Sequence, residues 1–269
     1  MRKMRMHSVL IAALGTVVLA SAAQAQPVRA TYEVYAAGLT VVQMEAVIDV
    51  TGDGYRIATT LRTRGLAAAV VSGEQASGVT GAWNGAVPMP QTFRSEGVWR
   101  GRARRTVLEW QAGQPLLRDL VPANEEEREA VPADLQRGTI DALSAVALLA
   151  RTVQRSGACE ATAAVFDGRR RSDYASRTEG WSAIQPWRGA WHGQALRCGF
   201  EARQVAGFRR DQERADAAAP QAGTAWIAAP FQGAPPIPVR IEVPSRWLGT
   251  ATVVLLRAEP SATPVNFRQ

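Results

Sequence analysis

From Tyr55 to Arg64 the side chains alternate without interruption. Tyr55, Ile57, Thr59, Leu61 and Thr63 fall on one side, and Arg56, Ala58, Thr60, Arg62 and Arg64 on the other. A period of two with one face apolar or β-branched and one face wet is the pattern of a half-buried strand. Segments of the same texture recur from end to end: Thr31–Tyr35, Leu39–Val50, Val98–Trp110, Thr162–Phe166, Arg169–Arg177, Ala195–Phe208, Thr224–Ala228, Ile237–Val243 and Thr250–Arg257. Gly52-Asp53-Gly54, Asn84-Gly85 and Asp167-Gly168 mark turns between them. Leu66–Val71 reads as a short helical turn or a buried strand.

One stretch breaks the rhythm. Over Asp141–Gln154, Leu143, Val146, Ala147, Ala150 and Val153 fall at helical spacing, with Thr139 or Asp141 placed to cap the start. Strands flanking one helix predict a mainly β, α+β fold: a large curved antiparallel sheet or partly open barrel with one central helix. A sheet of this many strands must curl or split. Hydrophobic residues make up 46% and charged residues 20%, enough for a packed core. No composition break divides the chain, so residues 26–260 are expected to form a single β-rich domain followed by a tail, 261–269.

The first 25 residues read as a secretory signal. Arg2, Lys3 and Arg5 precede the apolar run Val9–Ala20, and Ala23-Gln24-Ala25 offers a small-x-small cleavage pattern. No later stretch approaches the ~20 apolar residues of a spanning helix. The expectation is therefore a periplasmic protein with no transmembrane segment after signal removal. The formal charge of +7 loses those three basic residues and becomes +4, too modest and too dispersed to mark a nucleic-acid partner. Thirty of the 31 basic residues are Arg. Arg100, Arg102 and Arg104 are expected on one face of the Val98–Trp110 strand, as a solvated face or an anion ladder. Export would expose Cys159 and Cys198 to an oxidising compartment, which favours one disulfide; two separate buried thiols are the other outcome.

The sequence points to no catalytic residue. His192 is the one histidine left after signal removal, and no Gly-x-Ser-x-Gly elbow accompanies it. Nor do one His and two distant Cys supply a metal site, and no Gly-x-Gly-x-x-Gly or P-loop calls for a cofactor. Carboxylates from distant segments could still meet. Glu125, Glu126, Glu127 and Glu129 read as an exposed loop or frayed helix. Trp181, Trp187 and Trp191 lie within eleven residues among Pro186, Gly189 and Gly193, either as anchors of a loop folded over the core or as a stacking surface for a sugar or lipid. Arg240 sits in an apolar strand and needs a partner, a core carboxylate or a ligand's acid group.

Several motifs in order resemble one family: Tyr32-Glu33-Val34-Tyr35 with Gly38-Leu39, Asp141-Ala142-Leu143-Ser144-Ala145, Val165-Phe166-Asp167-Gly168-Arg169-Arg170, Trp226-Ile227-Ala228, and Pro238-Val239-Arg240-Ile241-Glu242. The chain is similar over nearly its whole mature length to the exported group DUF3108. The resemblance implies export and a β-rich fold, and it brings no catalytic residues. The expected function is a non-catalytic binding or envelope-maintenance module sheltering an apolar or anionic ligand such as an envelope lipid or glycan fragment. Trp181, Trp187, Trp191 and Arg240 are the candidate ligand contacts. A periplasmic hydrolase using carboxylates and an envelope assembly scaffold are the alternatives.

Overall fold

The structure is a computed structural model. It describes residues 26–261 apart from 51, 71, 125, 126 and 246–248, so the signal reading, part of the acidic run and most of the tail lie outside the described residues. The first seven strands are Val28–Ala36 (β1), Leu39–Asp49 (β2), Gly54–Thr63 (β3), Gly73–Asn84 (β4), Val87–Trp99 (β5), Arg102–Gln111 (β6) and Gln114–Val121 (β7). The second run is Ala161–Phe166 (β8), Arg171–Ile184 (β9), Gly193–Ala206 (β10), Gln221–Ala228 (β11), Ile237–Ser245 (β12) and Gly249–Pro260 (β13). Helices are Gly65–Val70 (α1), Ala133–Gln136 (α2), Ala142–Ser156 (α3) and Arg214–Ala218 (α4).

All thirteen strands form one antiparallel sheet in the order β7-β6-β5-β4-β3-β2-β1-β13-β12-β11-β10-β9-β8. Each run is a meander, and the chain's first and last strands join the two, with Val28 opposite Pro260 and Tyr35 opposite Thr252. Both outer edges therefore come from the middle of the chain. Among the described residues no ladder closes β7 onto β8. The connector between them, residues 122–160, has to span that gap, and it carries α3.

Cross-strand registers show how the alternation becomes a core. Leu108, Phe93, Val79, Ile57, Ile48 and Val28 stand directly opposite one another in a row from β6 to β1, and all are buried. Helix α3 lies against β3, β4, β5 and β8, so it reaches from one half of the sheet to the other. Ala147 and Leu143 join the main core. Leu149 and Val153 pack on a second cluster made by Cys159, Leu196, Cys198, Ala225 and Ile227. Cys159 and Cys198 are joined by a disulfide with Cα atoms 5.7 Å apart, which ties the chain just after α3 to β10.

Two segments differ from the sequence reading. Val98–Trp110 is not one strand: it folds at Arg100-Gly101, with φ of 52° and 74°, into the β5–β6 hairpin. A two-residue turn with both residues at positive φ matches the strand twist, and Gly101 makes it accessible. Strand alternation does not distinguish a long strand from two strands joined this tightly. Arg100 thus sits in the turn, and Arg102 and Arg104 start the next strand. Strand β9 also runs on to Ile184, which takes Trp181 into the sheet and leaves Trp187 and Trp191 in the loop that follows.

Candidate functional site

The gap between β7 and β8 is filled by two different constructions. At one end the edges are laced together. The β8–β9 turn brings Gly168 against Thr106, Leu117 and Leu120, which leaves no room for a side chain: an added Cβ would lie 2.6 Å from Thr106 Cγ2, and the φ of +88° would strain any other residue as well. Arg169 then donates from Nη2 to the carbonyls of Val121 (2.7 Å) and Pro122 (3.0 Å) at the end of β7. Glu127 takes a two-pronged bond from Arg104 at 2.9 and 2.8 Å, which holds its carboxyl below the usual range. Arg128 donates to the Gly207 carbonyl at 2.9 Å.

At the other end the gap opens into a cleft of about 850 Å3. Helix α3 contributes Leu148, Thr152 and Arg155. The start of β5 contributes Val87 and Met89, which are 57% and 40% exposed. Ala161, Thr162, Ala163 and Ala164 of β8 form the facing wall. Residues 138–140 cross between the two constructions. Gly138 N–H donates to the Gly113 carbonyl at 3.0 Å, and Trp110 Nε1–H to that of Thr139 at 2.7 Å. Ile140 is paired in parallel with Val165: its N–H donates to Ala164 and its carbonyl accepts from Phe166, both at 2.9 Å.

Directly after Ile140 comes a buried polar network. Asp141 caps α3, accepting from the N–H groups of Leu143 and Ser144 at 2.9 Å each and from the Ser144 hydroxyl. Ser144 Oγ also bonds the Tyr55 hydroxyl at 2.7 Å. Asp141 and Ser144 are wholly inaccessible to solvent. Burial pushes the Asp141 carboxyl up to about 6, partly offset by the hydrogen bonds from Ser144 and the helix N–H groups. Burial likewise raises the Tyr55 phenol. The network resembles a catalytic constellation in composition, but its position ties the helix start to β3.

Residues 31–255 match the family DUF3108, described as a protein of unknown function. The chain belongs to this family. A beta-barrel-like protein of the domain of unknown function DUF1849 from Brucella abortus, known from its crystal structure, is similar in fold, with a TM-score of 0.56 at 12% identity over 89% of this chain and all of that one. At that identity the likeness concerns the fold alone. No curated protein matches the chain. Two of the motifs that carry the family resemblance now have physical roles: Asp141 and Ser144 anchor the helix, and Asp167-Gly168-Arg169 laces the edges.

The four residues singled out from sequence are not gathered together, and none lines the cleft. Trp181 stands 66% exposed on β9. The Trp187 ring meets Tyr35 edge-on at 4.7 Å, with Arg188 over both rings. Trp191 packs against the main core, and its N–H donates to the Leu255 carbonyl at 2.7 Å. Arg240 donates to Glu242 and lies over Trp226. His192 is exposed in the loop before β10. Among the described residues no group of three His, Cys, Asp or Glu is placed to hold a metal ion, and no helix is long and apolar enough to cross a membrane. The cleft is not legible in the sequence because its walls are mostly small and apolar residues from five separate segments, none of which forms a motif.

Proposed function

We propose that this chain is an exported, non-catalytic binding module whose cleft shelters an apolar ligand. The observation that carries this reading is the 850 Å3 cleft itself, walled mainly by apolar side chains and framed by regular elements. Its ionisable lining residues are Arg155 and Glu160, and Glu160 is already engaged by the Thr178 N–H and hydroxyl at 3.0 Å each. Such walls favour an apolar ligand over a glycan, which would need many polar partners. Export is supported by the charged and apolar pattern of residues 1–25 and by the Cys159–Cys198 bond, which suits an oxidising compartment.

The test is native mass spectrometry of protein purified from the periplasm, together with titration of 11-dansylaminoundecanoic acid. The reading expects a co-purifying species or blue-shifted, saturable dansyl fluorescence that Thr152→Phe abolishes. Absence of both, or binding unaffected by Thr152→Phe, overturns it.

A further inference from the structure

We infer that the cleft takes the C-terminal end of an extended polypeptide, added as a strand antiparallel to β8. This deepens the binding reading above and rests on it. Strand β8 is the sheet's terminal strand and its shortest, six residues against the fourteen of β9. The bonds between Ile140 and its neighbours on β8 use the Ala164 carbonyl and the Phe166 N–H, so these point away from β9. Backbone groups alternate along a strand. The N–H and carbonyl of Thr162 and the N–H of Ala164 therefore point the same way, into the cleft. Among the described residues none of these three has a hydrogen-bond partner.

Three aligned and unpaired backbone groups facing apolar walls specify the kind of ligand. An acyl chain can fill the same space but leaves these groups unbonded, which costs affinity relative to a ligand that bonds them. An extended peptide satisfies all three, continuing the edge that Ile140 already begins to cover. A residue opposite Thr162 exchanges two hydrogen bonds with it, and a carbonyl just before it in the peptide accepts from the Ala164 N–H, where the peptide turns aside because Ile140 already holds the Ala164 carbonyl. The small side chains of Ala161, Ala163 and Ala164 leave space beside the edge, and Val87 and Met89 offer apolar surface across it.

Charge sets direction and end. Arg155 is exposed and has no acidic partner among the described residues, whereas Glu160 is held by Thr178. Because α3 stops at Ser156 and β8 starts at Ala161, Arg155 lies beside the beginning of β8. A strand antiparallel to β8 finishes there, which brings its terminal carboxylate to the guanidinium. At the opposite end Ile140 blocks further pairing, so only the last few residues of the polypeptide pair with β8 and the chain before them turns out of the cleft.

The experiment uses the pentapeptide Val-Thr-Val-Thr-Val with an N-terminal fluorescein. Three forms are compared by anisotropy: free carboxylate, C-terminal amide, and backbone N-methylated at alternate residues. Wild-type protein is expected to bind the free acid, the amide at least fivefold more weakly, and the N-methylated form not measurably. Arg155→Ala should remove the preference for the acid. Thr162→Pro deletes an N–H that the fold does not use, on an edge where proline is tolerated, and should weaken binding at least tenfold. A readout independent of variant folding is amide exchange in the wild type: Thr162 and Ala164 should gain protection when peptide is added. Equal binding of the N-methylated peptide, or no protection at those amides, overturns the inference. If 11-dansylaminoundecanoic acid binds and the peptide does not, the inference fails and the apolar-ligand reading stands. If neither binds, both fail.

Discussion

The two ends of the β7–β8 gap face the same problem and solve it with different materials. A sheet edge left bare offers unpaired N–H and carbonyl groups to any passing strand. Near the β8–β9 turn the protein spends a charged side chain on them: Arg169 donates to the carbonyls of Val121 and Pro122 at the end of β7. Around Thr162 it uses small and apolar residues and leaves the edge uncovered within a cleft. One end is built as a seam and the other as an opening. The difference lies in side-chain choice: a guanidinium covers the end of β7 at one end, and small and apolar residues flank an uncovered stretch of β8 at the other.

The largest expected effect comes from the bond that anchors the open side. Cys159 and Cys198 are 39 residues apart, and removing that cross-link by Cys159→Ala with Cys198→Ala should cost about 4 kcal/mol by the chain-entropy estimate. Denaturant unfolding measures the loss. Native-state hydrogen exchange then tests the contrast: β8 and the last turn of α3 should open more readily, while the Val121–Arg169 seam keeps its protection. Equal loosening of both ends would erase the distinction.

Asp141 lies at the boundary, one residue after Ile140, and its effect depends on pH. The folded side chain holds its proton to about 6, against an ordinary value of 3.8. A folded value above the unfolded one means that stability from this group is fully present below 3.8 and is lost as pH rises through 6. The difference corresponds to about 3 kcal/mol. The expectation is that wild type gains most of that amount, about 2.4 kcal/mol, on Asp141→Asn between pH 7 and pH 4, measured by urea unfolding. Comparison with the variant matters because Glu127 and Asp211, held low by Arg104 and Arg209, lose stability over part of the same range. A flat difference would show that the hydrogen bonds from Ser144 and the helix N–H groups fully offset the burial of the Asp141 carboxylate.

How far the sequence anticipated this arrangement follows from how local each signal is. The α3 helix was legible because its apolar spacing and its Asp141 cap lie within one segment; it runs Ala142–Ser156 against the expected Asp141–Gln154. The curved antiparallel sheet was legible from repeated alternation. The disulfide was favoured by compartment alone, and the structure joins the pair. The cleft was not legible, because Val87, Thr152 and Thr162 meet only through tertiary packing. Asp167-Gly168 forms the turn that this dipeptide announces, with Arg169 N–H donating to Asp167 Oδ1. The further task of Arg169, lacing β7, depends on Val121, 48 residues away, and no local pattern announces that.

The seam itself is broken by Arg169→Met, which keeps the aliphatic stem and removes the donors. Two charge-assisted hydrogen bonds are lost and the Val121 carbonyl loses a partner, so a destabilisation of about 2 kcal/mol is expected. Exchange should rise first at β7 and the β8–β9 turn, with the cleft's affinity for its probe changed little. If the cleft responds as strongly as the seam, the two ends form one cooperative unit.

The smallest effect on stability should carry the sharpest effect on binding. Thr152 is a half-buried residue on the cleft face of α3, one turn from Leu148 and Arg155. Thr152→Phe adds volume where there is already space, so overpacking is avoided and the fold should change by no more than about 0.5 kcal/mol. The ring would rest among Leu148, Val87 and Met89 and occupy the space a ligand needs. Thermal unfolding should therefore be nearly unchanged while probe binding disappears. The equivalent insertion at the laced end has no such space: Gly168→Ala drives a Cβ against Thr106 and forces a strained φ of +88°, so it should destabilise the fold outright. A void that Thr152→Phe fills at no loss to the fold, opposite a laced end where one methyl group is too much, would be the signature of space kept for something other than packing.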